Sequence, residues 1–280
     1  MTKSYKLDTI IKVDESLCIS CGNCIRTCPA GLITKEDFPV PIDNAWDLCI
    51  DCGHCVTVCP TGAMHQRAMQ AGDGAPIDVH LIPRWEEARQ FLVSRRSVRN
   101  YINKPLEKDK IQQVLDVTRY APSGGNRQAD ILRWVVISDP IQVRQIAQMT
   151  IDWMKSVADS NPAMYKEAKL QLFTDAWDNG DDQIARGAPC FIQAWAPSAE
   201  RTAPQAATIA LAYAQLAAHA LDLGSSWSGG INTAAQMYPP LIELLGLPEG
   251  TTSFGTILLG HPAEKFLTIP QRQLPEINWL

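Results

Sequence analysis

Long apolar runs are missing from this 280-residue chain, and no window approaches the roughly 20 apolar residues that a membrane-crossing helix needs. The first residues, MTKSYKLDTI, lack the apolar centre of a secretory signal, so the chain is expected in the cytoplasm with no membrane partner. Positive charge is in short supply: 25 Lys and Arg face 30 Asp and Glu, a formal net charge of −5. That balance gives no general attraction for a phosphate backbone, and nucleic-acid binding is excluded from the expectations. Charged residues are only 20% against 46% hydrophobic ones, which excludes a disordered chain and allows a full core. No Gly-x-Gly-x-x-Gly fingerprint occurs, so no separate dinucleotide-binding domain is expected. Cysteine is nearly absent from most of the chain, with Cys190 alone outside residues 18–59.

The other eight cysteines are concentrated in Cys18-x2-Cys21-x2-Cys24-x3-Cys28-Pro29 and Cys49-x2-Cys52-x2-Cys55-x3-Cys59-Pro60. Each recurs 31 positions later, and the same offset relates Ile19 to Ile50, Gly22 to Gly53, Pro29 to Pro60 and Gly31 to Gly62. The duplication therefore includes turn residues as well as thiols and implies two copies of one supersecondary unit. In a reducing compartment clustered thiols are metal ligands before they are disulfides. Structural zinc takes four ligands from paired C-x2-C units across a longer gap, which is not this spacing. Three cysteines in a C-x2-C-x2-C loop can wrap three corners of an iron–sulfur cubane, and the fourth corner needs a distant ligand. Residues 1–65 or so resemble bacterial two-cluster ferredoxins, in which the fourth cysteine of each run serves the other cluster. The resemblance implies two 4Fe-4S clusters, one on Cys18, Cys21, Cys24 and Cys59 and the other on Cys49, Cys52, Cys55 and Cys28. His54 lies in an x2 gap and reads as a solvated loop residue.

The turn-rich stretch Ala71–Pro76 marks a break, giving a ferredoxin domain over 1–75, a linker over 76–83 and a larger domain over 84–280. In the larger domain helical spacing begins at Trp85, a second helix spans Leu106 to Arg119, and an Ala-rich helix runs from Gln205 to Leu223 as a core or subunit-interface element. Buried strands are predicted at Leu132–Ser138, Phe191–Ala196 and Thr256–Gly260. Cys190 reads as small core filler, and His219 as a hydrogen-bonded histidine.

Three arginines, Arg95, Arg96 and Arg99, surround Ser97, and a guanidinium fork beside a hydroxyl suits a phosphate monoester. The Ser123-Gly124-Gly125-Asn126 turn lets backbone amides approach a planar ligand, and Asn126 adds a donor and an acceptor. Taken in order with Ala121–Gln128, Gly224–Gly230 and Gly260 through Arg272, these segments resemble the nitroreductase family of FMN enzymes from about Trp85 onward. The resemblance implies an α+β fold, a homodimer and one FMN at each of two interface sites. It assigns Arg95, Arg96, Ser97 and Arg99 to the FMN phosphate, ribityl chain and one flavin edge. Ser123, Asn126 and Gln128 fall in the segment at the pyrimidine end. Trp227, Ser228, Gly229 and Gly230 form the backbone against the flavin ring, and Arg272 corresponds to a late basic residue of the phosphate site. Two departures stand out: Ala129-Asp130 replaces the common Pro-Trp, and Arg272-Gln273-Leu274-Pro275 is spaced one residue differently.

A cluster passes single electrons whereas a flavin handles one or two, which explains joining the two domains. The expected activity is an FMN-dependent oxidoreductase in which electrons enter through the clusters and reduce a small organic acceptor such as a nitroaromatic or quinone. Two alternatives differ in kind: an NADH- or NADPH-oxidising flavoprotein that passes electrons out to an external redox protein, and a carrier or sensor without a substrate. No residue stands out as a catalytic acid. Trp153, Tyr165, Phe173 and Trp177 are candidates for a lid over the flavin or for core.

Overall fold

The computed structural model describes residues 7–280, apart from the side chains of Gln128 and Ala129, and divides after Ile82 into two units. In the first unit the elements are β1 (Ile11–Val13), α1 (Asn23–Thr27), β2 (Ile33–Lys35), β3 (Pro39–Pro41), α2 (Ala45–Leu48), α3 (His54–Thr57) and β4 (Met64–Gln66). Strands β1 and β4 pair antiparallel with Lys12 opposite His65, which joins the two ends of the unit, and β2 pairs with β3 with Thr34 opposite Val40. The 31-residue offset is written into the backbone. It carries β2 onto β4 and the start of α1 onto the start of α3. Left-handed backbone recurs with it: Ser20 and Asp51 have φ of 52° and 51°, and Gly22 and Gly53 have 72° and 70°.

Glycine takes this conformation without a Cβ clash, but Ser20 and Asp51 must be held in it. At Asp51 the hold is Arg67, whose Nε lies 2.9 Å from Oδ1. Arg67 also donates to the carbonyls of Trp46 (2.7 Å) and Cys49 (3.1 Å), and its guanidinium covers the Trp46 ring. The core of this unit is small, built on Ile10, Ile11, Leu32, Ile33, Val56 and Met64 with Cys24 among them. Units of this size usually need a metal or disulfides to supplement burial.

The second unit contains α4 (Trp85–Ser94), α5 (Lys108–Thr118), α6 (Gln128–Ile131), β5 (Arg133–Ile137), α7 (Pro140–Ser160), α8 (Pro162–Glu167), α9 (Gln171–Asp178), β6 (Cys190–Pro197), α10 (Ala203–Ala220), β7 (Gly224–Trp227), α11 (Gly229–Met237), α12 (Pro239–Leu244) and β8 (Thr251–Gly260). Its antiparallel sheet has the order β5-β6-β8-β7. Alternation along the central strands divides the core. Phe191 and Leu258 point into a layer with α7 and α11, whereas Ile192, Ala194, Ile257 and Leu259 point to α5 and α10. Both faces of β6 and β8 are covered, so these strands read as continuous apolar runs rather than as alternating ones.

Helix α10 buries Ala203, Ala206, Ala207, Ala210, Leu211, Ala214 and Ala218 in one stripe. Small side chains at that spacing let it lie close on the sheet and on α5. Cys190 is fully buried, and burial pushes its thiol up to about 12, in keeping with core filler. Strand β8 starts at Thr251, five residues earlier than the apolar run suggested. Strand β7 has no sequence signal as a strand, because Gly224, Ser225 and Ser226 are weak strand formers. It exists through its ladder with β8, and a Cβ at Gly224 would sit 2.7 Å from Val98. The arginine segment is strapped beside this strand: Ser97 bridges Ser225, Val98 N donates to Ser225 O at 3.0 Å, and Ile102 N donates to His261 O at 3.0 Å.

Candidate functional site

The crossed grouping of cysteines is present in the first unit. Cys18, Cys21, Cys24 and Cys59 ring one small cavity, and Cys28, Cys49, Cys52 and Cys55 ring a second. Among the described residues no three His, Cys, Asp or Glu side chains are gathered to cage a single ion. Each cysteine set instead stands around an open space, the arrangement a multi-iron cluster with one thiolate per iron requires. The left-handed residues at 20, 22, 51 and 53 turn the short C-x2-C loops around these spaces.

Burial raises the thiols of Cys24 and Cys49, and it pushes Cys55 up to about 12 with help from neighbouring Cys52, Cys49 and Cys28. Cys59 differs: burial opposes ionisation, but hydrogen bonds from Thr61 and the amides of Ala63 and Met64 outweigh it and lower the thiol. Leu32 N donates to Cys28 Sγ at 3.3 Å and Gln66 Nε2 to Cys49 Sγ at 3.6 Å. The ionisation of thiols raised in this way, Cys24, Cys49 and Cys55, couples to metal binding. His54 is exposed at the start of α3 on the rim of the second cavity.

In the second unit Arg95, Arg96, Lys265, His219 and Gln215 line a cavity beside the β7 edge, with Asp222 and Glu264 as its acidic residues. Two buried donors there, Arg95 Nη1 and Gln215 Nε2, have no hydrogen-bond partner among the described residues. Burial and the charge of Arg96 depress the Arg95 guanidinium. Orphaned buried donors are costly, and a dianionic acceptor such as a phosphate satisfies both together. His219 Nε2 lies 3.0 Å from Ser94 Oγ and stacks on Phe91, so the histidine is hydrogen-bonded as expected, and burial then the Arg95 charge lower it. Lys265 and Gln215 were not singled out as site residues from the sequence. Lys265 carries no motif of its own, and Gln215 interrupts the small-residue stripe of α10 without revealing its neighbours.

A second cavity, about 440 Å³, lies on the other side of Ser225 and Ser226. Its wall includes Arg99, Trp227, Ser228, Gly229 and Gly230. Ser228 precedes α11 without a side-chain cap, so the first amides of that helix lack intrahelical acceptors. A Cβ built on Gly229 meets nothing within 4 Å, which leaves open space over that amide. Tyr101 holds Ser226 of this wall: its buried hydroxyl donates to Val98 O at 2.8 Å and lies 3.1 Å from Ser226 Oγ.

Other assigned residues are placed elsewhere. Ser123 and Gly124 line a separate cavity with Glu200 and Thr202, and Asn126 follows at a left-handed φ of 56°. The side chain of Gln128 lies outside the described residues. Arg272 is exposed in an irregular C-terminal stretch and is not among the residues lining the Arg95 cavity, where Lys265 stands instead. Of the aromatic set, Trp153 and Phe173 face the large cavity. Tyr165 and Trp177 pack on the core, with hydrogen bonds to Thr174 (2.7 Å) and Gln148 (3.0 Å).

The nitroreductase family pattern matches residues 92–261, and a 4Fe-4S dicluster domain matches residues 17–64. A candidate NADH dehydrogenase/NAD(P)H nitroreductase from Archaeoglobus fulgidus is 25% identical over 182 residues, covering 64% of this chain and 88% of the relative. An FMN reductase (NAD(P)H) from Bacillus subtilis is 26% identical over 201 residues, covering 69% of this chain and 72% of the relative. The solved structure of a Bacteroides fragilis nitroreductase with bound FMN superposes with a TM-score of 0.57 at 21% identity, covering 69% of this chain and 98% of that one. At that identity the likeness establishes the fold. Among the described residues no helix is long and apolar enough to cross a membrane.

Proposed function

Because the chain belongs to the nitroreductase family and carries a 4Fe-4S dicluster domain, it is an oxidoreductase, and we propose that it moves electrons between two 4Fe-4S clusters and one FMN to reduce a small organic acceptor. The observation that carries this reading is the pairing, in one chain, of two four-cysteine cavities with a cavity that holds the orphaned donors of Arg95 and Gln215. When bound, the clusters supply one-electron transfer, and the flavin exchanges single electrons for two-electron chemistry.

Cys18, Cys21, Cys24 and Cys59 would hold one cluster, and Cys28, Cys49, Cys52 and Cys55 the other. Arg95 and Gln215 would donate to the FMN phosphate, with Arg96 and Lys265 adding charge. Ser97, fixed by its bridge to Ser225, would reach the ribityl chain, and Arg99 one flavin edge. The free amides at Gly229 and Gly230 would donate to the ring, and Trp227 and Ser228 would orient that backbone. Arg272 stays outside this set. Ser123 and Asn126 line neither of these cavities, which supports a homodimer in which a second copy supplies them. The exposed side chains of Leu267, Leu274 and Trp279 offer apolar surface for such an interface.

Electrons enter through the clusters in this reading, and the eight reduced thiols it requires support a reducing compartment such as the cytoplasm. A second reading has NADH or NADPH as donor, supported by the name of the Bacillus subtilis relative. Purified anaerobically, the protein should contain about eight irons and one FMN per chain. Cluster reduction should be followed by flavin bleaching and by reoxidation with a nitroaromatic or quinone. Zinc in place of iron, or a flavin that stays oxidised after cluster reduction, would overturn the proposal. Rapid bleaching by NADH or NADPH in anaerobic stopped flow would establish the second reading.

A further inference from the structure

Arg186 lines the same cavity as the glycines at the start of α11, and none of the flavin contacts above uses it. It is half-buried, and among the described residues it forms no ion pair. Its backbone has a φ of 58° and is followed by Gly187 at 72°, in a turn closed by Ala188 N donating to Ala185 O at 2.9 Å. A left-handed non-glycine residue persists only where its surroundings fix it, and such residues concentrate at binding sites. The charged residues lining the cavity are Arg99 and Arg186, and no carboxylate is among them. The remaining wall is mostly apolar, with Trp153, Phe173 and Trp227 as its aromatic members and Gln183, Ser226, Ser228 and Thr233 as its uncharged polar ones. At about 440 Å³ the space is of ordinary ligand-pocket size, and an acceptor would share it with the flavin ring proposed on the Arg99 and Gly229 side.

An unpaired guanidinium in an apolar cavity meets a carboxylate with two parallel hydrogen bonds and little competition from water. We propose that Arg186 selects the acceptor by its charge, so that the preferred substrates are small planar electrophiles bearing a carboxylate. This rests on the flavin reading, which assigns the neighbouring ring site, and it adds the chemical class of the substrate.

The test uses full-length holoprotein and two matched pairs of probes. Benzoate and benzamide, which are not reduced, are titrated into the oxidised protein and followed by the flavin absorption band and by calorimetry. 4-Nitrobenzoate and 4-nitrobenzamide are mixed anaerobically with reduced protein freed of reductant, without NADH or NADPH, and the second-order rates of reoxidation are compared. Benzoate should bind, and 4-nitrobenzoate react, about tenfold better than the amide. Both ratios should fall to about 1 in Arg186→Gln with the FMN content retained. Ratios near 1 in the natural protein, ratios unchanged in Arg186→Gln, or loss of FMN from that variant would overturn the inference. Fast reduction of both nitro compounds with a ratio near 1 would leave the proposed function intact. Reduction of neither, with benzoate still preferred through Arg186, would overturn the proposed function and sustain the charge selection.

Discussion

Gly229 faces open space at the point where α11 presents its free amides, and its φ is not left-handed, so a methyl group there strains nothing in the protein itself. Replacement by alanine should change stability by less than about 0.5 kcal/mol. The methyl would enter the volume assigned to the flavin, and FMN should bind about tenfold more weakly, as read by fluorescence titration of flavin-free protein. Unaltered FMN affinity would move the ring away from α11. Residues of this kind differ in how legible they are. The cysteines and the arginine segment declare themselves by spacing, because ligand geometry acts over a few residues. Gln215 and Lys265 reach the same cavity as Arg95 from α10 and from beyond β8, and only the folded sheet edge makes them neighbours. Arg272 shows the converse, since a basic residue at a suitable place in the order is left in an exposed stretch.

Helix α10 presents His219 to Ser94 at the end of α4, joining two elements next to the Arg95 cavity. Burial and Arg95 hold this histidine below its ordinary value of 6.5. The unfolded chain therefore binds the proton more readily, so the stability held at neutral pH is lost as pH falls from about 6.5 towards the folded-state value. In flavin-free protein His219→Gln, which can keep the bond to Ser94, should lower Tm less than the natural chain does between about pH 7.5 and pH 5.5. Parallel declines would show that other groups set the acid limit.

The repeated C-x2-C-x2-C-x3-C-P units carry a sharper expectation, since Cys28 follows the first run but rings the cavity of the second. Cys28→Ala should damage the cluster on Cys49, Cys52 and Cys55, seen as a loss of up to about four irons and a changed electron paramagnetic resonance spectrum of the reduced protein. Damage confined to the cluster on Cys18, Cys21 and Cys24 would refute the crossed arrangement. At this scale α10 and the central strands were readable because burial leaves small-residue or apolar runs, whereas α7, the longest helix, was not among the expectations. Strand β7 was not readable, because its Gly-Ser-Ser sequence allows close approach to Val98 rather than supplying strand propensity.

For the whole molecule, the order of domains is legible in the distribution of cysteine, but the completeness of a site within one copy is not, because a sequence does not say which chain a loop will serve. Ser123 and Asn126 against Arg95 make this testable. Two variants, Arg95→Gln and Asn126→Ala, should each bind FMN weakly. Mixed as subunits, they should recover about one intact site per dimer, because both lesions fall in the same half of the heterodimer. No recovery after verified subunit exchange would place both residues at one copy's site or remove Asn126 from it.

The crossing of the cysteine sets also fixes an order of events during synthesis. The chain leaves the ribosome amino end first, and the cavity that contains Cys49, Cys52 and Cys55 has its full set of four once residue 55 is made. The cavity that contains Cys18, the earliest of the eight, must wait for Cys59. The site begun first is thus closed last, and truncation between these two residues would leave one complete set of thiols and one set of three.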